Sequence, residues 1–309
     1  MLHRLAVVTS GATLLLIMAG GLVTSTGAGL AVPDWPTSFG YNLFLFPWSR
    51  MVGAVLIEHA HRLLGAAVGI LTVVLAVSTW AGRRERRLRV LAVTAVALVC
   101  VQGLLGGLRV VLRQDALAIV HGCLAQGFFV LTATLATLTG SEWHRAGSAV
   151  NATGLGWVAG LAAGVATLLC GQIVLGVLTT HAGWVVPHLG GAAVAVVGTG
   201  VLVTAAHGRA AGTSAPIRWR GRLIGGLLVL QVGLGLGAFL ERFTALAVPR
   251  GDLAVIGLPV AHRAVSALLL ALVVTLGMHA WRLAAAGVAP RQSPAASPDS
   301  DDRRVATAS

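Results

Sequence analysis

Lysine is absent from all 309 residues; each of the 22 basic residues is an arginine. Acidic residues number only ten, and charged residues of both signs make up 10% of the chain. A soluble domain carries about 25%, so a water-facing globular surface is excluded. Cysteine is equally scarce. Cys100, Cys123 and Cys170 form no CxxC pair, which rules out a disulfide framework or a thiolate metal site. Each lies in an apolar stretch and reads as a small packing residue.

What is present is hydrophobic length. The apolar fraction is 56% and the mean hydropathy is +0.86. A helix needs about 20 mainly apolar residues to cross the hydrocarbon core. On that measure eight spans are expected, near 5–24, 51–80, 90–110, 118–139, 154–178, 187–206, 222–240 and 257–280. Lipid cannot satisfy backbone polar groups, so these are helices rather than open strands. The fold class is therefore an all-α polytopic membrane protein. The first run continues through Gly20 and Gly21 without a small-x-small cleavage site and is read as a span, not a signal peptide.

The net charge of +12 could suggest nucleic acid, but its distribution gives a membrane topology instead. With the N-terminus inside, fifteen arginines fall on inner segments: Arg4, Arg83, Arg84, Arg86, Arg87, Arg89, Arg145, Arg209, Arg218, Arg220, Arg222, Arg282, Arg291, Arg303 and Arg304. Outer loops hold Arg50, Arg109, Arg113, Arg242 and Arg250, while Arg62 and Arg263 stand beside histidines. This is the positive-inside asymmetry, with both termini cytoplasmic. The last residues, rich in Pro, Ser, Ala, Asp and Arg, read as a tail with no core to bury.

The chain also repeats itself. Cys100-Val-Gln102-Gly-Leu-Leu-Gly106 parallels Cys170-Gly-Gln172-Ile-Val-Leu-Gly176, and Gln231-Val-Gly-Leu-Gly235 is a third copy. Each motif ends an odd-numbered span, and a histidine opens the next: His121, His188 and His262. The first span carries Gly20-Gly21-Leu-Val-Thr24 with Ile17 where the glutamine is expected, and His61 follows after a longer loop. Two parallel-repeat four-helix bundles result, residues 1–145 and 146–285, with residues 286–309 as the tail. Four spans per half give both halves one orientation, about an axis along the membrane normal.

His61, His121, His188 and His262 thus occupy matching depths at the outer ends of the even spans. Intramembrane ionisable side chains are costly and mark function, and imidazole is a common axial ligand of haem iron. Facing helices of a bundle can present two such ligands to one cofactor, giving one bis-histidine site per half, in the outer leaflet. The halves differ in one respect. Glu58 lies three residues before His61, on the same helical face, where the other histidines have Ala118, Val185 and Pro259. A carboxylate there can accept a proton, orient water or stabilise developing positive charge; its plainer role is partner to Arg62 or orienter of His61.

The remaining histidines are weaker candidates. His59 points to another face, His181 is interfacial, and His3, His144, His207 and His279 are read as solvent-facing. The first outer loop, Gly27 to Gly40, is dense in turn formers. Its aromatic Trp35 and Phe39, with Tyr41 and Trp48, suit an interfacial belt, and it can form a lid over the first site.

Gly20-Gly21-Leu22-Val23-Thr24, Thr26-Gly27-Ala28-Gly29-Leu30, Pro33-Asp34-Trp35-Pro36 and Glu58-x-x-His61-Arg62, together with the later histidines and the 4+4 repeat, resemble the heme A synthase family. The resemblance runs from about residue 5 to 282. It implies an eight-helix cell-membrane enzyme that oxidises the C8 methyl of heme O to a formyl group by two successive hydroxylations, for terminal oxidases. By position, it implies that His61 and His121 ligate the substrate haem and that Glu58 serves the chemistry. His188 and His262 would ligate a permanent haem b that passes electrons. The implied partners are heme O, the farnesyltransferase that makes it, an unidentified electron donor and the lipid bilayer, with no nucleic acid; a homo-oligomer is left open. Many bacterial members carry a cysteine pair in the first outer loop. Val32 and Ser38 stand there in this chain, so no thiol-dependent step is expected. Two other readings compete. A non-enzymatic dihaem b cytochrome fed by quinol explains the histidines but leaves Glu58 and the loop idle. A parallel-repeat transporter predicts polar groups near mid-membrane, which this chain does not have.

Overall fold

The computed structural model describes residues 1–145, 154–208, 214–244 and 253–288. The expected tail beyond residue 288, with Arg209, Arg250, Arg291, Arg303 and Arg304, lies outside the described residues, as does the boundary between the halves after Arg145.

Eight helices are long and apolar enough to cross a membrane. They are α1 (Leu2–Ser25), α2 (Gly53–Ala81), α3 (Arg86–Leu112), α4 (Asp115–Thr139), α6 (Leu155–Ala182), α7 (Val185–His207), α8 (Ala215–Phe243) and α9 (Leu258–Val288), with a short α5 (Ser141–Arg145) after the fourth. All eight expected spans are present. Several run further than hydropathy suggested: α3 starts at Arg86 rather than 90, and α8 at Ala215 rather than 222. Hydropathy ends at the first charge, whereas helical hydrogen bonding continues through arginines whose heads reach the interface. A π-helical turn, Leu253–Gly257, leads into α9.

Inside these helices threonines satisfy themselves. Thr9, Thr13 and Thr72 donate to the carbonyls four residues earlier, at 2.9, 2.7 and 2.7 Å, so a hydroxyl enters the bundle without needing a partner on another helix.

Each half forms a ring. In the first, α1 packs on α2, α2 on α3, α3 on α4 and α4 back on α1; in the second, α6, α7, α8 and α9 close in the same order. The rings meet along α4·α9, α1·α9 and α4·α6. Exchanging α1 with α6 and α4 with α9 maps this set onto itself, which is the pattern of a two-fold between the halves. Lipid gives little hydrophobic drive for helix association, so close approach through small residues matters. A Cβ at Gly277 of α9 would stand 3.0 Å from the Ala162 Cβ of α6. Around that crossing Leu155, Val158, Val165, Leu269, Val273 and Leu276 build the largest buried cluster. Because α9 touches both rings, 61% of its most apolar window is buried, against 6% for α8; most of α8 is left to the lipid.

Cys100 and Cys170 are exposed on this apolar surface and Cys123 is half-buried. The packing role expected of the first two is corrected: their helix faces point away from the rings.

At the end of the bundle away from the four histidines, α5 clasps the second half. Glu142 pairs with Arg220 at 2.7 Å and accepts from the Trp219 indole at 3.0 Å. Burial pushes its carboxyl up, but the hydrogen bonds from Arg220 and Trp219 outweigh this and hold it below the usual range. His279 sits under this clasp, 1% exposed. It bonds the Thr275 carbonyl at 2.9 Å and meets the Trp143 ring edge-on at 5.2 Å. The solvent-facing reading of His279 is thus overturned: α5 folds over a helix end that hydropathy alone leaves open. His3, His144 and His207 are exposed, as expected.

Candidate haem sites

The four histidines share one packing rule. Each lays its ring edge against a glycine of the preceding odd-numbered span. A Cβ built on that glycine would lie 3.1 Å from His61 Cε1 at Gly20, 3.4 Å from His121 Cε1 at Gly106, 3.1 Å from His188 Cε1 at Gly176, and 2.9 Å from His262 Cε1 at Gly235. Real Cβ atoms almost never come as close as the last distance. The repeat glycines therefore clear space for imidazoles, a role beyond the helix packing expected of them.

The glutamine of each repeat completes the seat. One turn before the glycine, it lies on the same helix face. Gln102 donates to the His121 carbonyl at 3.2 Å. Gln172 donates to the His188 carbonyl at 2.9 Å and lies 3.0 Å from its Nδ1, and Gln231 lies 3.2 Å from His262 Nε2. The spacing of these residues was visible in the sequence; their reach to the histidine was not. The first site lacks such a glutamine, and its register needs correction. His61 packs on Gly20, so Leu16 rather than Ile17 takes the glutamine's place, and Ile17 turns toward the cluster of Phe129, Ala267 and Ala271 between the halves.

In the second half the His188 and His262 ring centres stand 6.3 Å apart at 78°. A metal–imidazole bond of about 2 Å plus the ring's own radius puts each ring centre roughly 3 Å from a shared metal, hence about 6 Å between two axial rings. In the first half His61 and His121 lie within electrostatic reach of each other. His61 Nδ1, His121 Nδ1 and His262 Nδ1 are buried without a hydrogen-bond partner, a condition that calls for a ligand. Among the described residues no three His, Cys, Asp or Glu side chains gather to hold a metal ion. Two imidazoles per site suit a metal whose remaining ligands come from a macrocycle, so these residues fit haem.

Glu58 is 4% exposed, and both its oxygens are engaged. Oε1 pairs with Arg62 at 2.7 Å, and Oε2 accepts from the Val32 N–H at 2.9 Å. Arg62 also donates to the carbonyls of Val32, Asp34 and Thr37 at 2.9, 2.7 and 3.1 Å. The pair ties the loop between α1 and α2 down beside His61. Ser38 bonds His59 Nδ1 at 3.1 Å, and the Phe46 ring lies tilted at 46° against the same imidazole, 4.8 Å between centres, so His59 is a loop anchor. Val32 and Ser38 are both fully buried. Trp35 lies over Gly107 of α3, where any Cβ would collide with its indole, and Arg109 donates to the Gly29 carbonyl at 2.8 Å. Gly27 and Gly40, at φ +69° and +78°, make turns that other residues resist.

Asp34 organises the loop's tip, accepting from the Phe39 and Gly40 N–H groups at 2.6 and 2.8 Å and from the Thr37 hydroxyl. Burial pushes its carboxyl up, but these bonds outweigh burial and hold it below the ordinary value of 3.8. With the folded value depressed, the stabilisation is complete above 3.8 and is lost as pH falls through the folded value. Trp35 fluorescence should therefore stay constant from neutral pH down to about 4 and change only below it. A transition near neutrality would point to a different group.

The second half's arginine behaves differently. Arg263, beside His262, reaches across to α1, donating to the Gly21 carbonyl at 3.1 Å, and to Thr180 of α6 at 3.4 Å. No local pattern marks this crossing, since the residues it joins are far apart in the chain.

A family model described as cytochrome oxidase assembly protein (COX15-CtaA) matches residues 3–296. The chain belongs to this family. Among curated proteins it resembles the heme A synthase of Shouchella clausii, 40% identical over 120 residues, which is 38% of each chain. That of Alkalihalophilus pseudofirmus is 34% identical over 112 residues, 36% of each. That of Halalkalibacterium halodurans is 33% identical over 134 residues, 42% of this chain and 41% of the relative. The matched stretch thus spans about two-fifths of these relatives' length. A multi-pass membrane protein of the oxidase-assembly family follows from the eight helices and the family match.

Proposed function

We propose that this chain is a heme A synthase, oxidising the C8 methyl of heme O to a formyl group for a terminal oxidase. The observation that carries the reading is the fourfold histidine-on-glycine seat, with a carboxylate three residues before only one of the four histidines. It is supported by family membership and by the names of the relatives. The first half, residues 1–145, holds the substrate between His61 and His121. The second, from residue 146 to 285, holds haem b between His188 and His262, with both pairs toward the outer leaflet and both termini cytoplasmic. Haem b, when bound, supplies one-electron transfer. Gln172 and Gln231 orient its two imidazoles. The first loop, pinned by Arg62, Asp34 and Trp35, shields the substrate site from water. Glu58, set three residues before His61, serves the chemistry there by accepting a proton, orienting water or stabilising developing positive charge. Turning the methyl into a formyl group removes four electrons and inserts oxygen, so the enzyme draws on an external oxidant and oxygen source as well as a redox partner for haem b, and it receives heme O from the farnesyltransferase that makes it. A purely electron-carrying dihaem cytochrome would leave the Glu58–Arg62 loop clamp without a task.

The test is expression in a host that accumulates heme O, followed by reversed-phase analysis of extracted haems. Heme A should appear with this chain and not with the empty vector. Purified, coloured protein that contains haem b alone and yields neither the alcohol nor the formyl product would give the assignment to the electron carrier.

A further inference from the structure

Outward of the four histidine seats lies a cavity of about 260 Å³, at the seam between the halves. Its walls include Thr24, Arg109, Thr180 and Arg242, with His181 and Asp115. These positions follow a pattern. Thr24 is one turn beyond Gly20, Arg109 lies three residues beyond Gly106, Thr180 is one turn beyond Gly176, and Arg242 is two turns beyond Gly235. At 1.5 Å per residue their backbones stand roughly 5 to 10 Å outward of the rings. All four odd-numbered spans thus carry the floor of a histidine seat and, just above it, a wall of one common cavity.

The cavity is cationic. Among the described residues neither Arg109 nor Arg242 has a carboxylate within ion-pair distance. Asp115 is the sole acid in the lining. Arg263 stands behind Thr180, bonded to its hydroxyl. Two guanidinium groups lining one cavity at an apolar protein's seam, against a single carboxylate that is ion-paired with neither, suit an anion with paired oxygens.

We propose that this cavity receives the propionate carboxylates of haem held between the histidines, with Arg109 and Arg242 as the binding groups. The inference rests on the haem-site reading above and adds a polar anchor to it. The seats fix the iron, and the cavity fixes which edge of the macrocycle points outward. That orientation decides which ring substituent comes to lie beside Glu58. A phospholipid headgroup offers similar oxygens, so the two sources must be separated.

The experiment titrates the full chain, haem-free and in zwitterionic nanodiscs, with iron protoporphyrin IX and with its dimethyl ester. Wild type should bind the diacid at least about tenfold more tightly, the scale of a lost charge-assisted hydrogen bond. In Arg109→Gln/Arg242→Gln the ratio should fall to about one, and the paired lysine variant should restore most of the preference. Arg109 also holds the Gly29 carbonyl, so Arg242→Gln alone guards against misfolding. Arg242 is exposed, with its guanidinium 5.8 Å from the centre of the Phe243 ring, and its loss should lower the ratio partway. An unchanged ratio in both variants overturns the proposal, as does a wild type indifferent to esterification. Loss of co-purifying anionic phospholipid from the variants, with the ratio intact, would assign the cavity to lipid instead. The optical spectrum separates the two levels. Bis-imidazole haem with an unchanged ratio defeats the cavity alone, whereas a wild type that never shows a bis-imidazole spectrum defeats the haem sites themselves.

Discussion

Gly235→Val is expected to empty the second haem site while leaving the helices folded. The first added carbon would stand 2.9 Å from His262 Cε1 and 3.3 Å from its Nδ1, and valine's branch adds a second contact. Because α8 packs on both α7 and α9, its backbone can retreat only by giving up those contacts. The imidazole must therefore turn, and Gln231 loses its partner with it. Overpacking of this kind costs about 1–3 kcal/mol, less than a whole bundle needs to unfold. A ligand whose orienting neighbours are disturbed loses metal affinity by about 10- to 100-fold. Pyridine hemochrome stoichiometry and the low-spin spectrum check this, with circular dichroism as the folding control. The distances also predict an order among alanine variants. Gly235→Ala should hurt most, Gly20→Ala and Gly176→Ala less, and Gly106→Ala, at 3.4 Å, least. A Gly235→Val protein with full haem content and an unaltered spectrum would remove the glycine seats from the argument.

The same glycines show how much of the molecule could be read from the chain. The eight spans were legible because membrane crossing needs a fixed apolar length, and the repeat was legible because Gln-x-x-x-Gly recurs before a histidine. The helix ends were not, since arginines extend α3 and α8 beyond the apolar run. The first register slipped by one residue, to Ile17, because Gly20 and Gly21 stand side by side and only the position of His61 chooses between them. Contacts at long sequence separation were beyond reach. Arg263 meeting Gly21 joins residues 242 positions apart. His279 looked exposed because Glu142 and Trp143, which cover it, come from the short α5 in the middle of the chain, far from His279 in sequence.

Substituting Glu58 should have the largest effect on turnover, and the structure makes the choice of substitution decisive. The carboxylate has two jobs to separate: chemistry beside His61, and anchoring the loop through Arg62 and the Val32 N–H. Glu58→Ala removes both and leaves Arg62 buried without its partner, a loss of about 3–5 kcal/mol when one member of a buried pair goes. A failed Glu58→Ala enzyme therefore says little by itself. Glu58→Gln is the sharper variant, because its amide oxygen can still accept from Val32. Both haems should remain bound, and conversion should fall by about 10²- to 10⁴-fold, the range of a lost acid–base group, or stall at the alcohol. Arg62→Lys supplies the opposite case. It keeps a positive charge next to Glu58 but loses the planar fork that holds three loop carbonyls at once. If Glu58 acts on the substrate, Arg62→Lys should loosen the loop, seen as faster proteolysis between Gly27 and Gly40, yet retain most of the heme A yield. Glu58→Gln should do the reverse. Normal heme A from Glu58→Gln, with the yield lost only where the loop is loosened, would make the carboxylate a clamp for the lid and move the search for the reactive group elsewhere in the first half.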